Sequence, residues 1–419
     1  MRRLSVYFAL FICSSQFLAG QQNDSLVNFL GQKTIYPLII EDSPARLFTM
    51  RQFDETYLST FRLFSKMFNT GFSPTVNLIA KTAGFFFAFG PVTHEEGHRS
   101  ILIEKNIGSI SQPFFLSRRG GYIEGVTDSL LRDLRDKDFP DYMRLYGAGL
   151  ESDYMLTHRE ESLLAFEDET YKNLVIEYIL RKFSIMQYYL MGVIKYNIDG
   201  AEESNELKRD IVGNDVYGQI RHMHRPTMPF YRYTRYSDLT PDEIGYLKKM
   251  ELRSLFNLVN LNIVGIRNFN VSDNLKANIG MGHIMCPFGD FIDQNLWLKY
   301  KDKLKVEAYI REFQNNSRWF LGGGFGINDY QLTRKFMTSI NVHLWNQPAN
   351  LAFNENTGQF GGAIEITGRY FFLTNQKTNL KALSADLGLI WKTSGYLPEE
   401  IVMKRHFGFS FGTSFALDK

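Results

Sequence analysis

From about Asn274 to the C-terminus, apolar and polar residues alternate with a period of two, segment after segment, and a chain so patterned is committed to β-strands with two chemically different faces. Leu304, Val306, Ala308 and Ile310 are interleaved with Lys305, Glu307, Tyr309 and Arg311. Ile364, Ile366 and Tyr370 alternate with Glu365, Thr367 and Arg369, and Leu383, Leu387, Leu389 and Trp391 with Ser384, Asp386 and Gly388. The last segment sets Phe407, Phe409 and Phe411 against Gly408, Ser410 and Gly412. About eight such strands are legible, several with the 9–11 residues that a tilted strand needs to cross a bilayer. Residues Arg253 to Phe269 offer one or two more, for an expected total of about 8–10.

Two folds satisfy this alternation. A soluble sandwich or lipocalin-like barrel turns the apolar face inward, whereas a membrane barrel turns it outward to lipid. Strand length, the aromatic-ended final strand and a polar face rich in Gly, Ser, Thr and charges favour the second, and the segment resembles an outer-membrane β-barrel. The aromatic content of 15%, with 36 Phe and 22 Tyr, also suits a chain that meets lipid. Lys305, Glu307, Arg311, Glu365, Arg369 and Asp386 would then face the lumen, where pairing offsets part of each charge's desolvation cost.

Upstream the period is helical. Ile176 to Tyr196 carries apolar residues at helix spacing, and Thr240-Pro241-Asp242-Glu243 has the form of a capping box with Pro at the first helical position. Arg132 to Lys137 mixes both charge signs, as a solvent-facing helix surface does. The expected fold class is therefore α+β: a mainly helical domain over 21–250, then an antiparallel β-barrel over 251–419. Arg2 and Arg3, the apolar stretch Leu4 to Phe17 and Ala19-Gly20 have the form of an export signal over 1–20. Cys13 lies within it, so the exported chain keeps only Cys286 and forms no internal disulfide. A formal net charge of +2 gives no reason to expect a nucleic-acid partner.

Within the helical half, His94-Glu95-Glu96-Gly97-His98 places two imidazoles one helical turn apart with a carboxylate beside the first. Residues i and i+4 share a helix face, so both rings can reach one Zn²⁺ at about 2.0–2.1 Å, while Glu95, about 100° further round, can touch a bound water. With 8 histidines in 419 residues, a random chain of this composition would show the pattern about 0.01 times. The motif resembles that of the HExxH zinc metallopeptidases, with Thr93 and Gly97 also similar and the charged Glu96 a departure. Gly97 inside a helix costs about 1 kcal/mol relative to Ala, which implies something packed closely over that turn.

This gluzincin-like resemblance implies a third protein ligand on a later helix, and Glu151 in Gly147-Ala148-Gly149-Leu150-Glu151-Ser152-Asp153-Tyr154 is the candidate, with Asp153 a loose match to the acid that often follows it. Tyr154 and His158, at i+3 and i+7 from Glu151, are candidate donors to a tetrahedral oxyanion. His222-Met223-His224 is a further candidate donor or metal contact on an extended segment, or simply a surface loop. The apolar stretch Val76 to Val92 is too interrupted by Lys81, Gly84, Gly90 and Pro91 for a spanning helix, and is expected as the core helix leading into the metal-binding turn. The resemblance implies a zinc-dependent peptidase: His94, His98 and Glu151 hold Zn²⁺, and Glu95 is general base and then acid. Its substrate would be a polypeptide and its neighbours outer-membrane lipid and other envelope proteins, with the catalytic domain facing the periplasm and the connections Trp345 to Gly358 and Thr393 to Val402 facing outward. The rival expectation is a non-enzymatic envelope barrel or assembly factor whose HExxH turn is structural.

Overall fold

The structure is a computed structural model that describes residues 33–45, 47–113, 120–195, 203–375 and 377–418; the expected export signal lies outside them. After a first strand β1 (Lys33–Ser43) come α1 (Met50–Gly71), α2 (Pro74–Gly84), a π-helical turn (Phe85–Phe89) and α3 (Gly90–Glu104). A small hairpin, β2 (Ile110–Gln112) and β3 (Tyr122–Glu124), precedes α4 (Asp128–Lys137), α5 (Phe139–Ala165), α6 (Tyr171–Leu190), α7 (Asp215–His224) and α8 (Pro241–Ser254). Strands β4 (Phe269–Ser272), β5 (Leu275–Cys286), β6 (Gly289–Tyr300), β7 (Leu304–Gln314), β8 (Trp319–Thr333), β9 (Phe336–Pro348), β10 (Gly358–Thr374), β11 (Ala382–Lys392) and β12 (His406–Asp418) complete the chain.

Local chemistry sets the helix starts. Thr49, Ser73, Thr127 and Asn214 each accept a first-turn backbone N–H, and Pro74 occupies the opening turn of α2. The capping box expected at Thr240 and Glu243 is formed at the start of α8. The charged surface of Arg132 to Lys137 lies on α4, whose buried residues are Leu131 and Leu134. Between α2 and α3 the helix widens for one turn, and the Gly90 N–H donates to the Phe85 carbonyl five residues back.

The strands form one ten-stranded antiparallel sheet in the order β1-β12-β11-β10-β9-β8-β7-β6-β5-β4, each paired with its sequence neighbour except β1, which pairs with β12. Its edges, β1 and β4, do not pair with each other. The N-terminal strand is an element that alternation in the C-terminal half did not announce. Conversely, Arg253 to Phe269 adds no full strand: it forms 3₁₀ turns at Leu255–Leu258 and Leu261–Val264 and a single bridge from Asn260 to Gly280.

The apolar face of the sheet points outward. Ile340, Val342 and Leu344 on β9, Ile364 and Ile366 on β10, Leu387, Leu389 and Trp391 on β11, and Phe407, Phe409 and Phe411 on β12 are all exposed. The opposite face carries Glu307, Arg311, Glu365, Arg369 and Asp386, which line a cavity of about 410 Å³ closed on its other side by α1 and α5. Those charges are paired: Arg311 with Asp293 at 2.6 Å, and Arg369 with Asp329 at 2.8 Å and Asp386 at 3.0 Å. This is the inverse of a soluble sandwich.

Helices and sheet share one interior. A single apolar cluster runs from Ile101, Leu102, Tyr146 and Leu150 to Ile284, Phe291, Phe313, Trp345 and Tyr396, so the change of period near residue 250 does not divide two cores. The long connections also turn inward. Arg144 on α5 donates to the Leu397 and Glu400 carbonyls, and Phe353 packs on His224 and Tyr246. Neither connection faces away from the helices as expected. The stretch Val76 to Val92 does lead by a helix into His94, yet Val76, Leu78, Ile79, Phe86 and Phe87 are exposed, so its first half is a surface and not a core helix.

At the centre α3 crosses α5 at van der Waals distance because glycines face the crossing. A Cβ on Gly97 would lie 2.5 Å from the Ala148 carbonyl oxygen, whereas one on Gly245 in α8 would meet nothing within 4 Å. Gly97→Ala is therefore expected to destabilise the protein by about 1–3 kcal/mol through overpacking, more than the roughly 1 kcal/mol of helix propensity it gains. Gly245→Ala is expected to stabilise it by up to about 1 kcal/mol. Denaturation midpoints of the two variants check the pair, and a Gly97→Ala protein as stable as Gly245→Ala would refute the close crossing.

Candidate metal centre

His94 and His98 stand on the face of α3 that meets α5 and the start of α7, and both are buried. Their Nε2 atoms lie 3.3 Å apart. The Asp215 Oδ2 atom, from the first turn of α7, lies 2.9 Å from Nε2 of His94 and 3.4 Å from Nε2 of His98. These residues form the one His/Cys/Asp/Glu group among the described residues whose ligand atoms converge closely enough to hold a metal ion.

The remaining ring nitrogens are both engaged. His98 Nδ1 is 2.6 Å from the Leu145 carbonyl oxygen, which can only accept, so the ring donates there and its Nε2 carries a lone pair. His94 Nδ1 donates to Asp153 Oδ2 at 2.9 Å. Asp153 is held in turn by Arg181, which also bonds Glu177 and donates to Thr93 Oγ1 at 2.8 Å. Tyr188 stacks on the His94 ring with centroids 4.7 Å apart and planes 17° apart. A carboxylate and a carbonyl behind two imidazoles are the supports that metal-ligating histidines ordinarily have. Gly149 makes room for the ring, since a Cβ there would lie 2.4 Å from His94 Nε2.

With both rings neutral and Nδ1 donating, two imidazole lone pairs and the Asp215 oxygen converge; with His94 protonated, its Nε2 donates to Asp215 instead. The neutral arrangement calls for a cation between the three atoms, and the imidazolium arrangement does not. The separations of 2.9, 3.3 and 3.4 Å are close to the roughly 3.3 Å edge of a tetrahedron with ligands at about 2.0–2.1 Å from its centre, the spacing of zinc. Burial pushes the Asp215 carboxyl up, but His98 and His94, when protonated, hold it below the usual carboxylate range. Asp210, five residues earlier, is pushed up to about 6 by burial and by Asp215, against the pull of His98. Its Oδ1 atom is buried without a protein partner beside the group. Glu95 is half-buried under the β2–β3 hairpin, with Gly121 against its side chain, and lies in coulombic reach of both histidines, Asp210 and Asp215.

Glu151 is not brought to the imidazoles. Arg144, two turns earlier on α5, grips both carboxylate oxygens, with Nε at 3.1 Å, and the Glu399 amide donates to Oε1 at 2.7 Å. Glu151 stands on the face of α5 turned away from the imidazoles. Residues 151 and 153 point about 200° apart on a helix, and it is Asp153 that meets His94. Tyr154 and His158 share the sheet-facing side: Tyr154 donates to Asp293 at 2.6 Å, and His158 Nε2 is 3.1 Å from Glu307 beside the cavity. Neither stands at the metal group. His222 and His224 belong to the last turn of α7 and not to an extended segment; Tyr142 contacts buried His222 at 3.2 Å, and burial pushes that imidazole down to about 3.

Sequence reasoning missed Asp215. A signal was present, because Asn214 opens a helix and an acid in the first turn is favoured by the exposed amides there. If Asp215 and not Glu151 completes the group, Asp215→Ala should abolish stoichiometric zinc binding while Glu151→Gln keeps it. Asp153→Asn should weaken zinc by about 10–100-fold, as loss of a supporting carboxylate does. Titration against a chromophoric chelator measures all three, and zinc loss in Glu151→Gln with retention in Asp215→Ala would reverse the assignment. The chain matches no protein-family model, no curated protein and no solved structure.

Proposed function

We propose that this protein is a zinc-dependent peptidase whose catalytic helices are carried by a barrel-like sheet in the outer membrane, where it processes or clears envelope polypeptides. The observation that carries the reading is the convergence of three buried potential ligand atoms, His94 Nε2, His98 Nε2 and Asp215 Oδ2, at the spacing of a tetrahedral zinc site. Bound there, zinc supplies Lewis acidity that polarises a scissile carbonyl and makes a water acidic near neutral pH. Glu95, beside the first ligand, takes a proton from the attacking water and returns it to the leaving amine. Asp153 and the Leu145 carbonyl orient the two rings, and Arg181 holds Asp153 in place. The outward apolar face of β9 to β12 supports the membrane part of the reading.

One observation favours a second reading. Both nitrogens of His94 have an aspartate oxygen at 2.9 Å, which also suits an imidazolium clamped between Asp153 and Asp215 in a non-enzymatic envelope protein. Metal content separates the two. The peptidase reading expects about one zinc per chain in the purified protein. It also expects Glu95→Gln to keep the zinc and fold while cleavage of an unfolded reporter polypeptide falls by about 100- to 10,000-fold. Wild-type protein that takes up no zinc, or a Glu95→Gln variant that cleaves as the wild type does, would sink it.

A further inference from the structure

The sheet leaves a gap between β1 and β4, and helices occupy it. α1 packs on β1, α6 packs on α1, α2 and the 3₁₀ turn Leu255–Leu258, and that turn packs on β5. α2 is amphipathic in the reverse of the soluble sense, and α1 and α6, which also bury apolar residues such as Leu58, Phe61, Leu174 and Ile185, add buried charge beneath exposed apolar side chains. On α2 the buried residues are Asn77 and Lys81, 7% and 2% exposed, while Ile79 is 64% exposed and Val76 and Leu78 are exposed beside it. Lys81 spends its charge inward, donating to Asn69 at 2.9 Å and to the Lys172 carbonyl at 3.3 Å. On α6, Glu177, Arg181 and Lys182 are buried and paired, Lys182 with Glu161 at 2.7 Å, while Phe183 is 53% exposed. α1 buries Asp54, Ser59, Arg62 and Ser65 and exposes Phe64 and Met67, and the π-helical turn exposes Phe86 and Phe87.

We propose that α1, α2, the π-helical turn and α6 form a lipid-facing wall that completes the open sheet, so that bilayer hydrocarbon surrounds a body part strand and part helix. The occupant is inferred from polarity and continuity. Soluble proteins rarely expose large contiguous apolar patches, and ionisable groups within membrane proteins turn inward and pair, as they do here. A partner protein would cover one side. The apolar exterior instead runs from β9 to β12 and continues on α1, α2 and α6, which suits a surrounding medium.

One helix joins the wall to the metal group. Pro74 to Glu104 is one unbroken helical run of 31 residues. Ile79 and His94 are therefore about 22 Å apart along its axis at 1.5 Å per residue, within a hydrocarbon core of about 30 Å. The metal group thus stands on the same helical run as the lipid-facing wall. This inference rests on the membrane part of the proposed function and not on the peptidase part.

Nitroxide labels in phosphatidylcholine vesicles test it. In full-length protein with Cys13 and Cys286 replaced by Ala, a label is attached in turn at Met67→Cys, Ile79→Cys and Phe183→Cys, at Leu389→Cys on the sheet, and at Asp133→Cys on α4 as the aqueous reference. Collision rates with oxygen and with a water-soluble nickel complex are then compared. The three wall labels should match Leu389, with oxygen collisions severalfold above nickel collisions and the opposite order at Asp133. Wall labels that behave like Asp133 while Leu389 keeps its lipid signature would overturn the wall and leave the sheet in the membrane. A Leu389 label that also meets nickel would overturn the membrane reading itself. Wall labels shielded from both probes would mean that protein, such as a second copy, covers the helices, and would also overturn the proposal. If a cysteine variant fails to fold, Met67 in the unsubstituted protein gives the same answer: protected from aqueous hydroxyl radicals behind lipid, oxidised as fast as in unfolded chain if the wall faces water.

Discussion

The structure depends on the close crossing of α3 and α5. Gly97 and Gly149 remove the side chains that would hold the helices apart, so the Ala148 carbonyl passes over one turn of α3 and the His94 ring fits against the other helix. With the two backbones this close, Leu145 can accept from His98 and Asp153 from His94 without long, mobile side chains. Everything chemical about the site follows from this proximity. Short, buried supports leave the rings one orientation, and Asp215 needs only to arrive from the start of α7.

A second constraint is the pairing of buried charge. Asp153, Glu177 and Arg181 form a chain from His94 into the helical interior, and Arg144 with Glu151 ties α5 to the connection that carries Glu399. Removing one member of such a pair leaves the other uncompensated, commonly a loss of about 3–5 kcal/mol. The interior is therefore specified by charge complementarity as much as by apolar packing. That explains how β9 to β12 and α2 can turn apolar residues outward: the charges of those faces are inside and partnered.

The strands were legible because alternation is a local property of sequence and β7, β11 and β12 obey it nearly residue by residue. The pattern could not by itself say which face was outward, and the exposure of Leu387, Leu389 and Trp391 supplies that. Strand β1 was illegible for the opposite reason: its partner β12 is almost the whole chain away, and Tyr36-Pro37-Leu38-Ile39-Ile40 carries no strict alternation. At the site, His94 and His98 were legible because their spacing is intrahelical. Asp215 was not, since it is joined to them only through the fold, and spacing along α5 could not tell Glu151 from Asp153 without knowing which side of the helix faced α3.

The widened turn Phe85–Phe89 has a consequence for phase. Along the helical run, the inward stripe steps by four residues through Asn77, Lys81 and Phe85, then by five to Gly90, and by four again to His94 and His98. The extra residue acts as a phase adjuster, since one residue is worth about 100° of rotation. Take it away and the imidazoles would swing off the line that the interior side chains of α2 define, although every other residue of the motif would remain in place.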